Sequence, residues 1–193
     1  MRYAKGHKEG TRQQILEVAG RKFREEGVAA AGIAGLMAEA GLTNGAFYSH
    51  FESKDHLVRE ALLEASTRRE AAVREAGPGG AEAWIRGYLT PAHRDGPGQG
   101  CVTAALAAEI ARQPQATRET FTLAVSRVLA MIAEAMPDGA PEARERRAMA
   151  VYGLLVGTLQ LARAVSDREM SDRILESGLE TALGLIGKGH EAG

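Results

Sequence analysis

The 193-residue chain has a single cysteine, Cys101, so one chain can hold neither a disulfide nor a cysteine-based zinc site. That absence suits a reducing compartment. No apolar run approaches the ~20 residues that span a bilayer, and the N-terminus carries charges without the apolar core of a signal segment. A soluble, cytoplasmic protein with no membrane partner is expected. Net charge is nearly absent as well: Lys+Arg 24 stand against Asp+Glu 25, so bulk electrostatics favour neither nucleic acid nor membrane. Nowhere does an alternating strand pattern persist, which leaves an all-α chain. The five histidines, at 7, 50, 56, 93 and 190, make no metal pair at helical spacing, and no nucleophile motif occurs. An enzyme is therefore not expected, and no cofactor or metal is implied. His93-Arg94-Asp95 matches a kinase tripeptide without its downstream Asn, and the glycines of 96–100 follow no strand; both matches are read as chance.

What is present is organised around residues 32–51. Ile33, Leu36, Met37 and Ala40 fall at one-turn spacing and share a buried face. Gly41 frees the backbone to leave that helix, and Thr43 is placed to cap the next by accepting a backbone N–H. This is the outline of a helix-turn-helix. Its second helix crowds Asn44, Tyr48, Ser49 and His50 onto one short segment, with Gly45 baring the backbone, as a helix read against base edges and phosphates would. Upstream, Arg2, Lys5, Lys8, Arg12, Arg21, Lys22 and Arg24 face only Glu9 and Glu17 up to residue 24. That basic arm is an electrostatic footprint for phosphate.

A first helix is expected to open at a Thr11/Gln14 capping box, to bury Ile15, Leu16, Ala19 and Phe23, and to stop at Gly27. Ser53 caps a long helix that runs to about Ala76 and breaks at Gly77-Pro78-Gly79-Gly80. Next come a short helix with Trp84, Ile85, Tyr88 and Leu89 and a loop over 92–100. A helix opened by Cys101 and another over about 116–135 follow, then a break from Pro137 to Pro141. Two final helices, about 142–165 and from Ser171-Asp172 onward, are so apolar that a partner subunit is the economical cover. Candidate pocket walls are Trp84, Tyr88, Leu106, Phe121, Met131 and Tyr152, each of which would serve equally as ordinary core.

The Thr11-capped helix, Ile33-Ala34 with Ala40-Gly41-Leu42-Thr43, and the run Gly45-Ala46-Phe47-Tyr48-Ser49-His50-Phe51-Glu52-Ser53-Lys54-Asp55-His56-Leu57 resemble the TetR family of transcriptional regulators. The resemblance covers the first sixty or so positions. It implies a nine-helix, two-domain, all-α fold: a DNA-binding domain over 1–56 and a ligand-binding and dimerisation domain over 57–193. It further implies a homodimeric repressor that leaves a palindromic operator when an unidentified small-molecule inducer binds. Carried over by position, Thr43, Asn44, Gly45 and Tyr48 meet DNA, with Tyr48, His50 and Lys54 as phosphate contacts. The last two helices form the subunit interface, for which Tyr152, Val156, Leu159, Leu175, Leu179 and Ala182 are the candidates. The chain departs from the family in lacking Thr or Ser before the second helix, where Ala31 and Gly32 stand, and in carrying no Lys or Arg between Gly27 and Phe51. Base reading then falls to neutral side chains, Asn44 pairing with adenine, and charge to the arm and Lys54. Residues 88–109 are similar to a branch with electrophile and oxidant sensors that place a cysteine at this helix start. This adds Cys101 to the candidate pocket, although Lys188 is the only lysine of the body and no lysine stands near the thiol.

Overall fold

A computed structural model describes residues 3–76, 80–136 and 139–187. Among them are ten α-helices and no strand. Arg2, Lys188, Gly77-Pro78-Gly79 and Pro137 lie outside the described residues, as do the breaks placed on them.

α1 (Tyr3–Glu26) starts eight residues before the expected cap. Thr11 is interior, its hydroxyl donating to the carbonyl of His7 at 2.9 Å, and the Gln14 amide donates to Ala40 O at 2.9 Å. Both side chains are thus committed inside the fold, so there is no capping box, and the basic segment is the first turns of a helix. α2 (Ile33–Glu39) buries Leu36 and Met37. Gly41, at φ +68°, lets the chain turn, and Leu42 N–H donates to Met37 O at 2.8 Å, closing the helix end with a Schellman-type bond. α3 is only Asn44–Phe47. Thr43 occupies its N-cap position, yet its hydroxyl makes no capping bond, a correction to the expectation.

α4 (Lys54–Ala76) is capped as expected by Ser53, whose Oγ accepts the His56 N–H at 3.1 Å. Its first turns complete the N-terminal core: Leu57, Val58, Ala61 and Leu62 are buried with Phe23, Phe47 and Phe51. Leu106 and Ile110 of α7 (Val102–Ile110) enter that same core, so α7 bridges the helix-turn-helix and the rest of the molecule.

The larger body packs α5 (Gly80–Tyr88), α8 (Gln115–Ala135), α9 (Pro141–Ala164) and α10 (Arg168–Gly187) around Ile85, Val128, Ile132, Val151, Leu155 and Leu159. Part of the expected loop over 92–100 is helical. Thr90 Oγ1 accepts the His93 N–H at 3.1 Å and caps α6 (Pro91–Asp95), and a 3-10 turn follows over Pro97–Gln99. These short elements raise the helix count above the expected nine. α10 begins three residues earlier than expected, because Asp167 Oδ1 accepts Met170 N–H at 3.0 Å and takes the capping role. Ser171 is instead buried and donates to Ala162 O at 2.6 Å.

Segment 90–101 is held at both ends. Arg163 donates to His93 O at 2.7 Å and Arg94 O at 3.1 Å, while buried Arg94 reaches Ser171 Oγ at 2.8 Å and Asp172 Oδ1 at 2.5 Å. At the other end Arg24 of α1 donates to Gly98 O at 2.7 Å. Gly98 lies so close to α1 that a Cβ there would stand 2.2 Å from Glu25 Oε1. A side chain at this point of the loop would displace the Glu25 carboxylate.

Candidate nucleic-acid interface and cavity

The outer face of the helix-turn-helix follows from the phase of α3 and the turn after it. Phe47 and Phe51 are buried and stacked 5.7 Å apart, which sends the residues between them outward. Thr43, Asn44 and Gly45 are exposed, and Tyr48 is 65% exposed, its ring braced edge-on against Phe47 at 5.1 Å. An exposed aromatic fixed by a buried one is a rigid polar tip on a packed base. Ser49, also exposed, turns its hydroxyl back to Ala46 O at 2.7 Å.

His50 is half-buried, and its Nδ1 is enclosed without a hydrogen-bond partner. Burial pushes its pKa below the ordinary imidazole value, and the charges of Lys8 and Arg12 push the same way. Lys54 is half-buried, with Nζ 3.5 Å from Ala29 O. Of the six sequence-predicted contacts, Thr43, Asn44, Gly45 and Tyr48 are exposed, and His50 and Lys54 are half-buried.

The basic stretch is less available than its composition suggests. Arg12 pairs with Glu60 at 3.0 Å and stacks its guanidinium 4.9 Å above the Phe51 ring. Arg21 pairs with Glu25 at 3.2 Å and with Glu39, Lys22 with Glu26 at 2.6 Å and Glu39 at 3.3 Å, and Arg24 holds Gly98. These cations knit α1 to α2, α4 and the loop, while Lys8 stays exposed. A contact with no signal in the sequence is Glu109, at the end of α7. Its two carboxylate oxygens accept the backbone N–H groups of Val28 and Ala29 at 2.8 and 2.6 Å, fixing the turn that leads into α2.

Behind this domain lies a cavity of about 300 Å³, at the small end of small-molecule sites. Arg24 comes from α1, Ala65, Ser66 and Arg68 from α4, Trp84 from α5, residues 99–103 from the loop and the start of α7, Ala124 and Val128 from α8, and Tyr152 from α9. Of the predicted pocket residues, Trp84, Cys101 and Tyr152 line it. Tyr88 does not: it is buried in the body core, edge-on to His93 at 4.7 Å. Leu106 is buried in the N-terminal core and Phe121 packs against it, because α7 and α8 turn those faces toward α1 and α4. Met131 packs against the body core. Cys101 is 1% exposed; its N–H donates to His93 Nε2 at 2.9 Å and its Sγ lies 3.6 Å from the Tyr152 hydroxyl, which donates to Thr103 Oγ1 at 2.8 Å.

The predicted interface residues divide. Tyr152, Leu159, Leu175 and Ala182 are buried within one chain and have no surface to offer a partner, while Val156 and Leu179 are half-buried. Apolar surface on α9 and α10 includes instead Leu161, 59% exposed, Met149, 49% exposed, Met170, 45% exposed, and half-buried Leu154 and Ile174.

An outward-facing helix-turn-helix on a helical body with a half-open cavity is an arrangement suited to binding DNA. Residues 15–61 match the model of the bacterial regulatory proteins of the tetR family. Over these residues the chain is similar to that family. It is 44% identical over 64 residues to the HTH-type transcriptional regulator TtgR of Pseudomonas putida, a stretch that is 33% of this chain and 30% of that one. It is 41% identical over 59 residues to the HTH-type transcriptional regulator AcrR of Shigella flexneri, 31% of this chain and 27% of that one. The chain thus spans about 30% of the length of the curated relatives it matches. Solved structures extend the likeness in fold to the whole molecule. Reduced E. coli NemR superposes with TM-score 0.76 at 21% identity, over 91% of this chain and 96% of that one. FadR of Bacillus subtilis in complex with stearoyl-CoA superposes with TM-score 0.67 at 15% identity, over 92% of this chain and 98% of that one. These relatives are named as transcriptional regulators, not as enzymes. Among the described residues no helix is long and apolar enough to cross a membrane.

Proposed function

We infer that this chain is a cytoplasmic transcriptional repressor that binds a palindromic operator as a homodimer and is released when a small molecule fills the cavity between α4, α7 and α9. The observation that carries the DNA-binding part is the outward presentation of Thr43, Asn44, Gly45 and Tyr48 on a base of buried Phe47 and Phe51. In this reading Asn44 contacts a base edge, Tyr48, His50 and Lys54 contact phosphates, and residues 1–56 form the DNA-binding domain that 57–193 positions and regulates. The test is a gel shift on the DNA beside its own gene. Asn44→Ala should weaken binding by about fivefold or more, given about 1–3 kcal/mol for a good base contact, and Tyr48→Ala should weaken it through a lost phosphate contact. Retention of wild-type affinity in both would sink the assignment.

A second reading of the release step has its own observation: Cys101 lines the cavity, with its buried sulfur 3.6 Å from the Tyr152 hydroxyl. A quinone that entered would meet a thiol at a helix start; conjugate addition would form a carbon–sulfur bond, break the ring C=C π bond and pass the thiol proton to the quinone oxygen. If quinone-triggered release of the operator is the same in Cys101→Ser as in wild type, this route is excluded.

A further inference from the structure

Tyr48 is exposed, yet its place is set from behind. Its ring stands edge-on to Phe47 at 5.1 Å, and Phe47 stacks on Phe51 at 5.7 Å, so three rings run inward from the phenol. Two polar side chains hold the innermost ring. The Arg12 guanidinium of α1 lies 4.9 Å over Phe51, and the His56 ring of α4 meets it edge-on at 5.9 Å. Both are tied to one carboxylate, since Glu60 takes Arg12 Nη2 at 3.0 Å and His56 Nε2 at 3.3 Å. His56 Nδ1 accepts the Glu52 N–H at 3.3 Å, which leaves the ring proton on Nε2, toward Glu60. The backbone just past Phe51 is thereby joined to the same cluster.

Burial pushes the Glu60 carboxyl up, but the hydrogen bond and charge of Arg12, and then those of His56, outweigh it and hold its pKa below the ordinary value. Glu60 is therefore ionised at neutral pH, and the charge of Arg12 is answered within the fold. With side chains 25% and 33% exposed, the Arg12–Glu60 pair is too wet to add much stability. Its geometry matters more than its energy: a planar cation laid on a ring and held by a carboxylate leaves that ring little freedom to tilt.

We propose that Arg12 is a positioning residue for DNA recognition: with Glu60 and His56 it clamps Phe51, and through Phe47 it fixes the outward angle of Tyr48, instead of contacting a phosphate itself. The proposal rests on the reading of Tyr48 as a DNA contact. Arg12 is then withdrawn from the cations of α1 that meet DNA, while Lys8, exposed one turn earlier, remains among them.

The test uses the full chain and a duplex that the wild type selects from random sequence. Phosphate contact and positioning predict opposite signs. Lysine would largely replace a phosphate-bound Arg12, and Glu60→Ala, which frees the guanidinium and removes a negative charge, would tighten binding. Positioning needs the planar guanidinium and its partner, so Arg12→Lys and Glu60→Ala should each weaken binding about fivefold. In a Tyr48→Ala background the same substitutions should cost about twofold at most, because the side chain they orient is gone; general loosening of the fold would give additive losses instead. In the DNA-free protein, the NMR cross-relaxation between the Tyr48 and Phe47 rings should weaken in Arg12→Lys. Should Arg12→Lys fail to fold, Glu60→Ala carries the sign test alone. Tighter or unchanged binding by Glu60→Ala, full affinity in Arg12→Lys, or additive losses in the Tyr48→Ala background would overturn the positioning role while leaving the DNA reading in place. A wild-type chain that selects no duplex would overturn the DNA reading and this role with it.

Discussion

Single residues divide between those the fold needs and those only a partner needs. Gly45 belongs to the second kind: a Cβ built there meets nothing within 4 Å. Glycine in a helix is destabilising by roughly 0.5–1 kcal/mol relative to alanine, so Gly45→Ala should raise the urea midpoint slightly while weakening operator binding by about tenfold. A variant that gains stability and keeps full affinity would show that DNA makes no close approach to the backbone here. His50 adds a pH signature. Free, its pKa lies below the ordinary value because burial, then Lys8 and Arg12, disfavour the charged ring. A phosphate at the ring would favour the charged form and raise the pKa in the complex, so binding would take up a proton. Operator affinity should therefore rise as pH falls through the complexed pKa and level off below the free one. In His50→Asn this dependence should vanish; a profile identical to wild type would place the phosphate elsewhere. These exposed residues were legible in the sequence because a core has little use for polar side chains crowded onto a short helix between two phenylalanines. The fate of Arg12, Arg21 and Lys22 was legible only in part: Glu25 and Glu26 stand one turn on from Arg21 and Lys22, whereas Glu60 and Glu39 are distant in sequence and only folding brings them close.

Among elements, α7 joins the two halves beside α4, which packs on both α1 and α8. Its first residues border the cavity, its middle is buried among α1 and α4 side chains, and its last turn presents Glu109 to Val28 and Ala29. A displacement at the cavity end would reach the turn before α2 through one helix of nine residues. Removing the carboxylate leaves two backbone donors without their acceptors, so Glu109→Ala should cost about 1–3 kcal/mol. Amide exchange of Val28 and Ala29 should accelerate well beyond that of the α2 interior. Unchanged exchange at both would mean the turn is held by other contacts. α2, α4 and α8 were legible in the sequence from apolar residues at one-turn spacing, and α9 from its dense apolar run. Helix starts were not, where a plausible cap had another use: Thr11 bonds backward within α1, and Ser171 is buried beneath α9 while Asp167 caps. Pocket walls were obscured for a related reason. Spacing identifies an apolar face but not which of two cores receives it, and Leu106 and Phe121 went to the N-terminal one.

At the scale of the whole molecule, one chain leaves an apolar surface open. Leu161 and Met170 are large apolar side chains in water, and Cβ atoms at Gly153 and Gly157, two turns and one turn before Leu161, would meet nothing within 4 Å. An open glycine stripe beside exposed leucine suits the close approach of another helix. A second copy of α9 and α10 would cover it and hold two recognition helices at the roughly 34 Å spacing of successive major grooves. Leu161→Glu tests this cleanly because position 161 is exposed in the single chain: its effect on monomer stability should stay within about 0.5 kcal/mol. Sedimentation should then show dimer for wild type and monomer for the variant, and operator affinity should fall because each half-site is bound alone. Leu159→Glu, two residues away but fully buried, should instead unfold the chain by placing a charge in the body core. A Leu161→Glu protein that sediments as a dimer and binds its operator normally would show that the two recognition helices are held together by some other face.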